Sequence, residues 1–216
     1  MAMTLAMQAI KSRHKLLGST WFARPALLLA PELIGKILVR KLPAGFQPRG
    51  SFQAGGSKPE ASPAGIFRYR ITEVEAYCGV QDLGCHASHG HTKRTEIMFG
   101  PAGYIYVYLI YGMYHCLNLV TAKSGEAEAV LIRSVEPLFG TNQKPVGPGR
   151  LCRELNIDNQ LNCLKLGRTS GLWVEDDGYK LKPGEVCQSA RRGIDYAKDY
   201  ASKPWRFYLS TSEFVS

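Results

Sequence analysis

The chain has 216 residues, 45% of them hydrophobic, and a formal net charge of +9. That length and apolar share fit one compact domain with a real core, and no apolar run is long enough to cross a bilayer. The excess charge is spread along the chain and does not form one tail, which points to a folded basic face meeting a polyanion such as nucleic acid or an anionic membrane surface; a protein that is merely basic stays open.

Residues 1–16 read as a mobile lead-in. Lys11, Arg13, His14 and Lys15 follow its weakly apolar start, which is not a secretory pattern. The first acidic residue is Glu32, so an organelle transit peptide stays open. Residues 24–34 show helical spacing with Gly35 as the stop, and Pro31 predicts a kink or two short helices. Residues 36–42 alternate like a strand. Residues 43–65, rich in Gly, Pro, Ser and Ala, read as a long disordered loop inside one domain spanning 17–216.

Strands are predicted at 67–77, twice within 104–121, at 127–135 and at 205–209. Helices are predicted at 147–157 and 193–201. This interspersion argues for a mixed α/β, or α+β, single domain with a largely antiparallel sheet. Six cysteines, none in a C-x-x-C pair, read as free thiols in a reducing compartment.

In the segment Ile71-Thr72-Glu73-Val74-Glu75-Ala76-Tyr77, alternation puts Thr72, Val74 and Ala76 on one face. Glu73, Glu75 and Tyr77 take the other, where an aromatic wall would partly desolvate a carboxylate and make it a better base. A solvated strand face is the alternative. Farther on, Tyr104, Tyr106 and Tyr108 share one strand face, opposite Ile105, Val107 and Leu109. Gly112-Met113 suits a two-residue type II′ turn flanked by Tyr111 and Tyr114. Rings there can stack on an extruded base or wedge into a base stack, or pack across the sheet. Asn118 interrupts an apolar strand and needs hydrogen-bond partners if buried. His86, His89 and His91 lie near Cys85, but the spacing matches no metal-ligand pattern. Arg133 ends an apolar run, exposed or paired with Glu75 or a phosphate. Gly147-Pro148-Gly149 opens a helix whose N–H groups suit a phosphate, or is an ordinary turn.

Together these pieces resemble the alkyladenine (3-methyladenine) DNA glycosylase family from about Leu17 onward. The resemblance rests on Phe22-Ala23-Arg24-Pro25, Thr72 to Tyr77, Met98-Phe99-Gly100-Pro101, Tyr106 to Met113, Val130 to Arg133, Gly147 to Cys152 and Lys203 to Phe207. Their order and spacing carry it, where no single piece would. The resemblance implies a curved, largely antiparallel sheet flanked by helices, with a protruding β-hairpin. It implies no metal and no cofactor.

By position, Glu75 matches the catalytic carboxylate and Arg133 the arginine beside it and its water. Tyr77, His86 and Tyr108 match the rings that sandwich the flipped base, and Asn118 the residue that rejects guanine. Tyr111 matches the wedge, and Met113, Lys203 and Arg206 join it as expected DNA contacts. The implied partner is double-stranded DNA containing damaged purines, met by a monomer that needs no membrane. The compartment would be cytoplasmic in a bacterium, or the nucleus or an organelle in a eukaryote. Thr95 departs from the family, which commonly has Asn after the arginine that is here Arg94.

The resemblance further implies chemistry. Stacked rings would favour a cationic alkylated purine. Glu75 would activate water at a sugar carrying oxocarbenium-like charge, with Glu73 as its rival. No activated lysine suggests a Schiff base, so no strand cleavage is expected. A silent binder of damaged or single-stranded nucleic acid and a metal-dependent hydrolase are the alternatives. Base release and resistance to chelation would tell them apart.

Overall fold

A computed structural model of the chain describes residues 14–43, 65–138 and 143–216. Most of the expected lead-in and nearly all of the expected 43–65 loop lie outside the described residues. Among those described, nine strands join one sheet whose ladders are all antiparallel. The main path runs β1 (Lys15–Leu16), β7 (Leu172–Asp176), β2 (Ile37–Lys41), β3 (Ile66–Cys78), β6 (Glu128–Pro137), β5 (Tyr114–Thr121), β4 (Ile105–Ile110). Off this path, β8 (Val186–Ser189) pairs with β9 (Arg206–Leu209), and β9 pairs with β3. Helices α1 (Ser19–Phe22), α2 (Ala26–Leu33) and α3 (Pro148–Glu154) complete an α+β fold.

Two local expectations need correction. Lys15 and Leu16 belong to the sheet, paired with Asp176 and Glu175, because β7 offers them an open edge. Pro31 does not split the helix: α2 runs through it as eight residues. A proline inside a helix costs about 3 kcal/mol. Leu29 and Leu33 are both buried there, and burying each leucine contributes about 1.5–3 kcal/mol. Packing therefore outweighs the lost bond. The carboxylate of Glu128 caps α2 by accepting the Ala26 N–H at 2.6 Å.

β3 is the strand that positions the chemistry. Its first half pairs with β2, and Glu73 to Glu75 pair instead with β9, while β6 lies along the other side. The β3–β6 register shifts twice between Ile71 and Val74. An extra residue reverses which face the next side chain takes. Ile71, Val74 and Ala76 therefore all reach the main core. Thr72 does not share the face of Val74 and Ala76 as alternation predicts; its hydroxyl donates to the Phe214 carbonyl at 2.5 Å. Flanked by strands on both sides, Glu73 and Glu75 are each 0% exposed. A solvated strand face is thereby excluded.

The tyrosine alternation in β4 matches the observed faces. Ile105 and Val107 enter the main core. Tyr106 packs in a second cluster with Cys85, Ala87 and Met98, against which Tyr77, Tyr104 and Tyr108 lie. That cluster holds the 79–99 segment over one face of β4, β5 and β6.

Candidate active site

Glu75 is held by three donors. Its Oε1 accepts the Arg192 main-chain N–H at 2.8 Å and lies 3.2 Å from Arg133 Nη1. Its Oε2 accepts the Tyr77 hydroxyl at 2.9 Å. Tyr77, Arg133 and Arg192 all line a cavity of about 450 Å³, together with His86, Tyr108 and Asn118. This volume falls in the range of small-molecule sites, roughly 300–1,000 Å³. The carboxylate thus sits just behind the wall of a ring-lined pocket.

Loops that sequence reading did not connect to the site hold this arrangement. Arg191 forms a two-pronged pair with Asp82, at 2.6 and 2.7 Å, and donates to the Ala76 carbonyl at 2.9 Å. Both side chains of the pair are fully buried. Asp82 also accepts the N–H groups of Cys78 and Gly84, so the pair staples the 190–192 segment to the end of β3. The Arg191 guanidinium lies 4.6 Å from the Tyr77 ring centre, behind a cavity wall. Nothing in the local sequence marks Asp82 or Arg191.

The rings are neutral at pH 7. Burial, helped by Arg94 and His89, pushes the His86 imidazole down to about 4. Its Nδ1 is bonded to the Tyr106 hydroxyl at 2.8 Å. Its ring meets Tyr108 edge to face, with centroids 4.5 Å apart. Burial raises the Tyr77 and Tyr108 hydroxyls well above their ordinary range, and the charge of Glu75 adds to this at Tyr77. Asn118 gives its amide hydrogens to the carbonyls of Tyr106 and Cys116, at 3.3 and 3.5 Å. This fixes the side chain on the cavity wall.

Glu73 is differently placed. It accepts five hydrogen bonds, from Arg133, Arg206, Ser134 and twice from Ser216, and it does not line the cavity. Burial alone would raise its pKa, but these donors bring it below the usual carboxylate value.

The β4–β5 connection differs from the expected two-residue turn. Ile110 pairs with Tyr114, leaving Tyr111, Gly112 and Met113 as a three-residue tip. Tyr111 and Gly112 both have positive φ, at 53° and 69°, and Met113 N–H bonds back to Ile110. Two successive positive φ values are the mark of a type I′ turn. Tyr111, at the cavity mouth, is 82% exposed, and Met113 is exposed beside it in the chain. Lys203 is exposed as well.

Arg206 is not a surface cation. It is buried, and its guanidinium binds Glu73, Ser189 and Ser216. The ladder between β9 and β3 turns it inward, so it has no face for a phosphate. The Gly147 N–H is likewise taken, by the Ser134 hydroxyl at 3.1 Å. Thr95 closes the turn at 90–95: its hydroxyl donates to the Gly90 carbonyl and accepts the Thr92 N–H, both at 2.8 Å. Arg94 lies 5.4 Å from the Tyr108 ring centre. Among the described residues, no group of three or more His, Cys, Asp or Glu is placed to hold a metal ion, and no helix is long and apolar enough to cross a membrane.

Comparison with known proteins agrees with this geometry. The family model for methylpurine-DNA glycosylase (MPG) matches residues 60–213. A protein of Methanocella arvoryzae is 42% identical over 209 residues, covering 91% of this chain and 93% of its own. One of Myxococcus xanthus is 40% identical over 202 residues, with 93% of each covered. One of Legionella pneumophila (strain Corby) is 39% identical over 201 residues, covering 91% and 95%. Each bears the name "Putative 3-methyladenine DNA glycosylase". A buried carboxylate behind a ring-lined pocket and a match over most of the chain thus lead to one conclusion: this protein belongs to the methylpurine-DNA glycosylase family.

Proposed function

We propose that the protein is a monofunctional DNA glycosylase of base-excision repair, which flips alkylated purines out of duplex DNA and hydrolyses their bond to the sugar. One observation carries the reading: the Glu75 carboxylate is fixed by Arg133, the Arg192 N–H and the Tyr77 hydroxyl at the edge of the aromatic cavity. As the bond to C1′ breaks, positive charge develops on the sugar. Glu75 stabilises that charge and takes a proton from the attacking water, which adds to C1′ while the purine leaves with the bonding electrons. The neutral rings of Tyr77, His86 and Tyr108 favour a cationic base, so 3-methyladenine and 7-methylguanine are the preferred substrates. Hypoxanthine leaves as a neutral base, needs a proton on departure and is the slower substrate. Asn118 crowds the exocyclic amino group of neutral guanine, whereas 7-methylguanine, which bears the same group, is favoured by its positive charge.

Tyr111 fills the gap in the duplex, aided by Met113, and flipping costs a few kcal/mol, roughly, less at a damaged pair. Lys203 contacts the DNA. Among the described residues no lysine lines the cavity, which supports hydrolysis without strand cleavage. The test is Glu75→Gln assayed on methylated duplex DNA. Base release falls by about 10²–10⁴-fold, the usual contribution of a general base, while DNA affinity is kept. Full excision by this variant would remove Glu75 from the role.

A further inference from the structure

Two carboxylates share one arginine of the cavity wall, and only Glu75 is also bonded to the cavity-lining residues Tyr77 and Arg192. Arg133 donates Nε to Glu73 at 3.0 Å and holds Nη1 3.2 Å from Glu75. A guanidinium is a rigid planar fork, so fixing one nitrogen fixes where the others point. Glu73 is in turn fixed by Arg206, whose Nε donates to it at 2.6 Å, and by the neutral donors Ser134 and Ser216. Ser189 and the Ser216 carbonyl take the rest of the Arg206 fork. The four side chains therefore carry two negative and two positive charges, all in residues with little or no exposure, and the main-chain end group of Ser216 adds a negative charge against Arg206.

We infer that Glu73 and Arg206 are positioning residues, a charge-balanced anchor that aims Arg133 at Glu75 and sets how strongly Glu75 holds a proton. This rests on reading Glu75 as the base. The other groups near Glu75 are Tyr77 on β3, Tyr108 on β4, Cys116 on β5, and Arg191 and Arg192 in the loop before β9, the Arg192 side chain being exposed. Burial raises the two hydroxyls and the thiol, so they stay neutral at working pH. Arg191 is balanced by Asp82. The local charge thus turns on Glu73, Arg133 and Arg206.

Removing one charge unbalances the set in a known direction. Glu73→Gln leaves two cations facing Glu75, which becomes a weaker base. Arg206→Gln leaves Glu73 competing for Arg133, and Glu75 holds its proton more tightly. Nearby charges of this kind move a titration by one to three pH units, roughly.

The experiment is the pH profile of single-turnover base release from methylated duplex DNA. The acidic limb shifts down by about one unit in Glu73→Gln and up by about one in Arg206→Gln. It returns toward the wild-type position in the double variant, where charge balance is restored. Lost stability at low pH moves the apparent acidic limb up in either variant, so it cannot produce opposite shifts. Unmoved limbs, or shifts in one common direction, overturn the inference. If Glu73→Gln does not fold, Arg206→Lys, which keeps the cation, takes its place: an upward shift in Arg206→Gln that Arg206→Lys does not show supports the anchor, and an equal shift in both overturns it. Glu75→Gln separates the two levels: its retained activity means the base assignment has failed. Its inactivity together with unmoved limbs means that only the anchor has failed.

Discussion

Glu154, at the end of α3, is 5% exposed, and its Oε1 has no hydrogen-bond partner among the described residues. Burial, only partly offset by Arg153, lifts its carboxyl from the ordinary 4.5 to about 7. A carboxyl whose folded pKa lies above its unfolded one favours folding below the unfolded value and loses that advantage as pH rises through the folded one. Glu154→Gln therefore has little effect on stability at pH 4 and raises it at pH 8, by about 1–3 kcal/mol. Thermal melts of wild type and variant at the two pH values check this. An equal difference at both would remove Glu154 as a titrating liability. At Glu73 the opposite holds, since its even deeper burial is met by five donors. Of the residues expected from the sequence, Tyr77, His86, Tyr108, Asn118 and Arg133 do line one cavity, and Glu75 is bonded to two of them. Arg206 could not be sorted from Lys203 by sequence, because both sit near a strand start in a basic segment. Arg191 and Arg192 had no local signal, and their contacts with Asp82 and Glu75 span 109 and 117 positions.

At the scale of elements, the β4–β5 hairpin depends on α3. A Cβ added at Gly149 would come within 2.9 Å of the Tyr114 ring and 3.1 Å of its Cβ. The second atom is the near end of the side chain, so the strand itself has to move. Gly149→Ala accordingly lowers stability by about 1–3 kcal/mol, as overpacking does, and weakens DNA binding by displacing the tip that carries Tyr111. Melting temperature together with the dissociation constant for methylated duplex tests both halves. An unchanged pair of values would mean that α3 does not locate the hairpin. The strands of this hairpin were legible because alternating rings and aliphatics are a local pattern of period two. Strands β7 and β8 were not, since short mixed segments become strands only through the neighbours they pair with. The bulge in β3 was equally hidden, because one extra residue leaves no compositional mark.

For the whole molecule, the net charge of +9 predicts an electrostatic encounter with DNA. Binding to undamaged duplex weakens steeply with salt, as each neutralised phosphate releases counterions. A plot of log affinity against log salt between 50 and 200 mM is expected to have a slope of several negative units, roughly −0.9 per phosphate contact. A flat plot would contradict an electrostatic docking face. What the amino-acid order determined alone was the antiparallel strand pattern, the shared face of Tyr104, Tyr106 and Tyr108, and the pairing of carboxylates with aromatic rings. These follow from side-chain periodicity, which each segment carries within itself. The tertiary structure decided which carboxylate stands behind the cavity wall, which arginine turns inward and which backbone N–H completes the site. Those outcomes depend on a register shift and on bonds between segments more than a hundred positions apart, and only the packed chain brings such partners within reach.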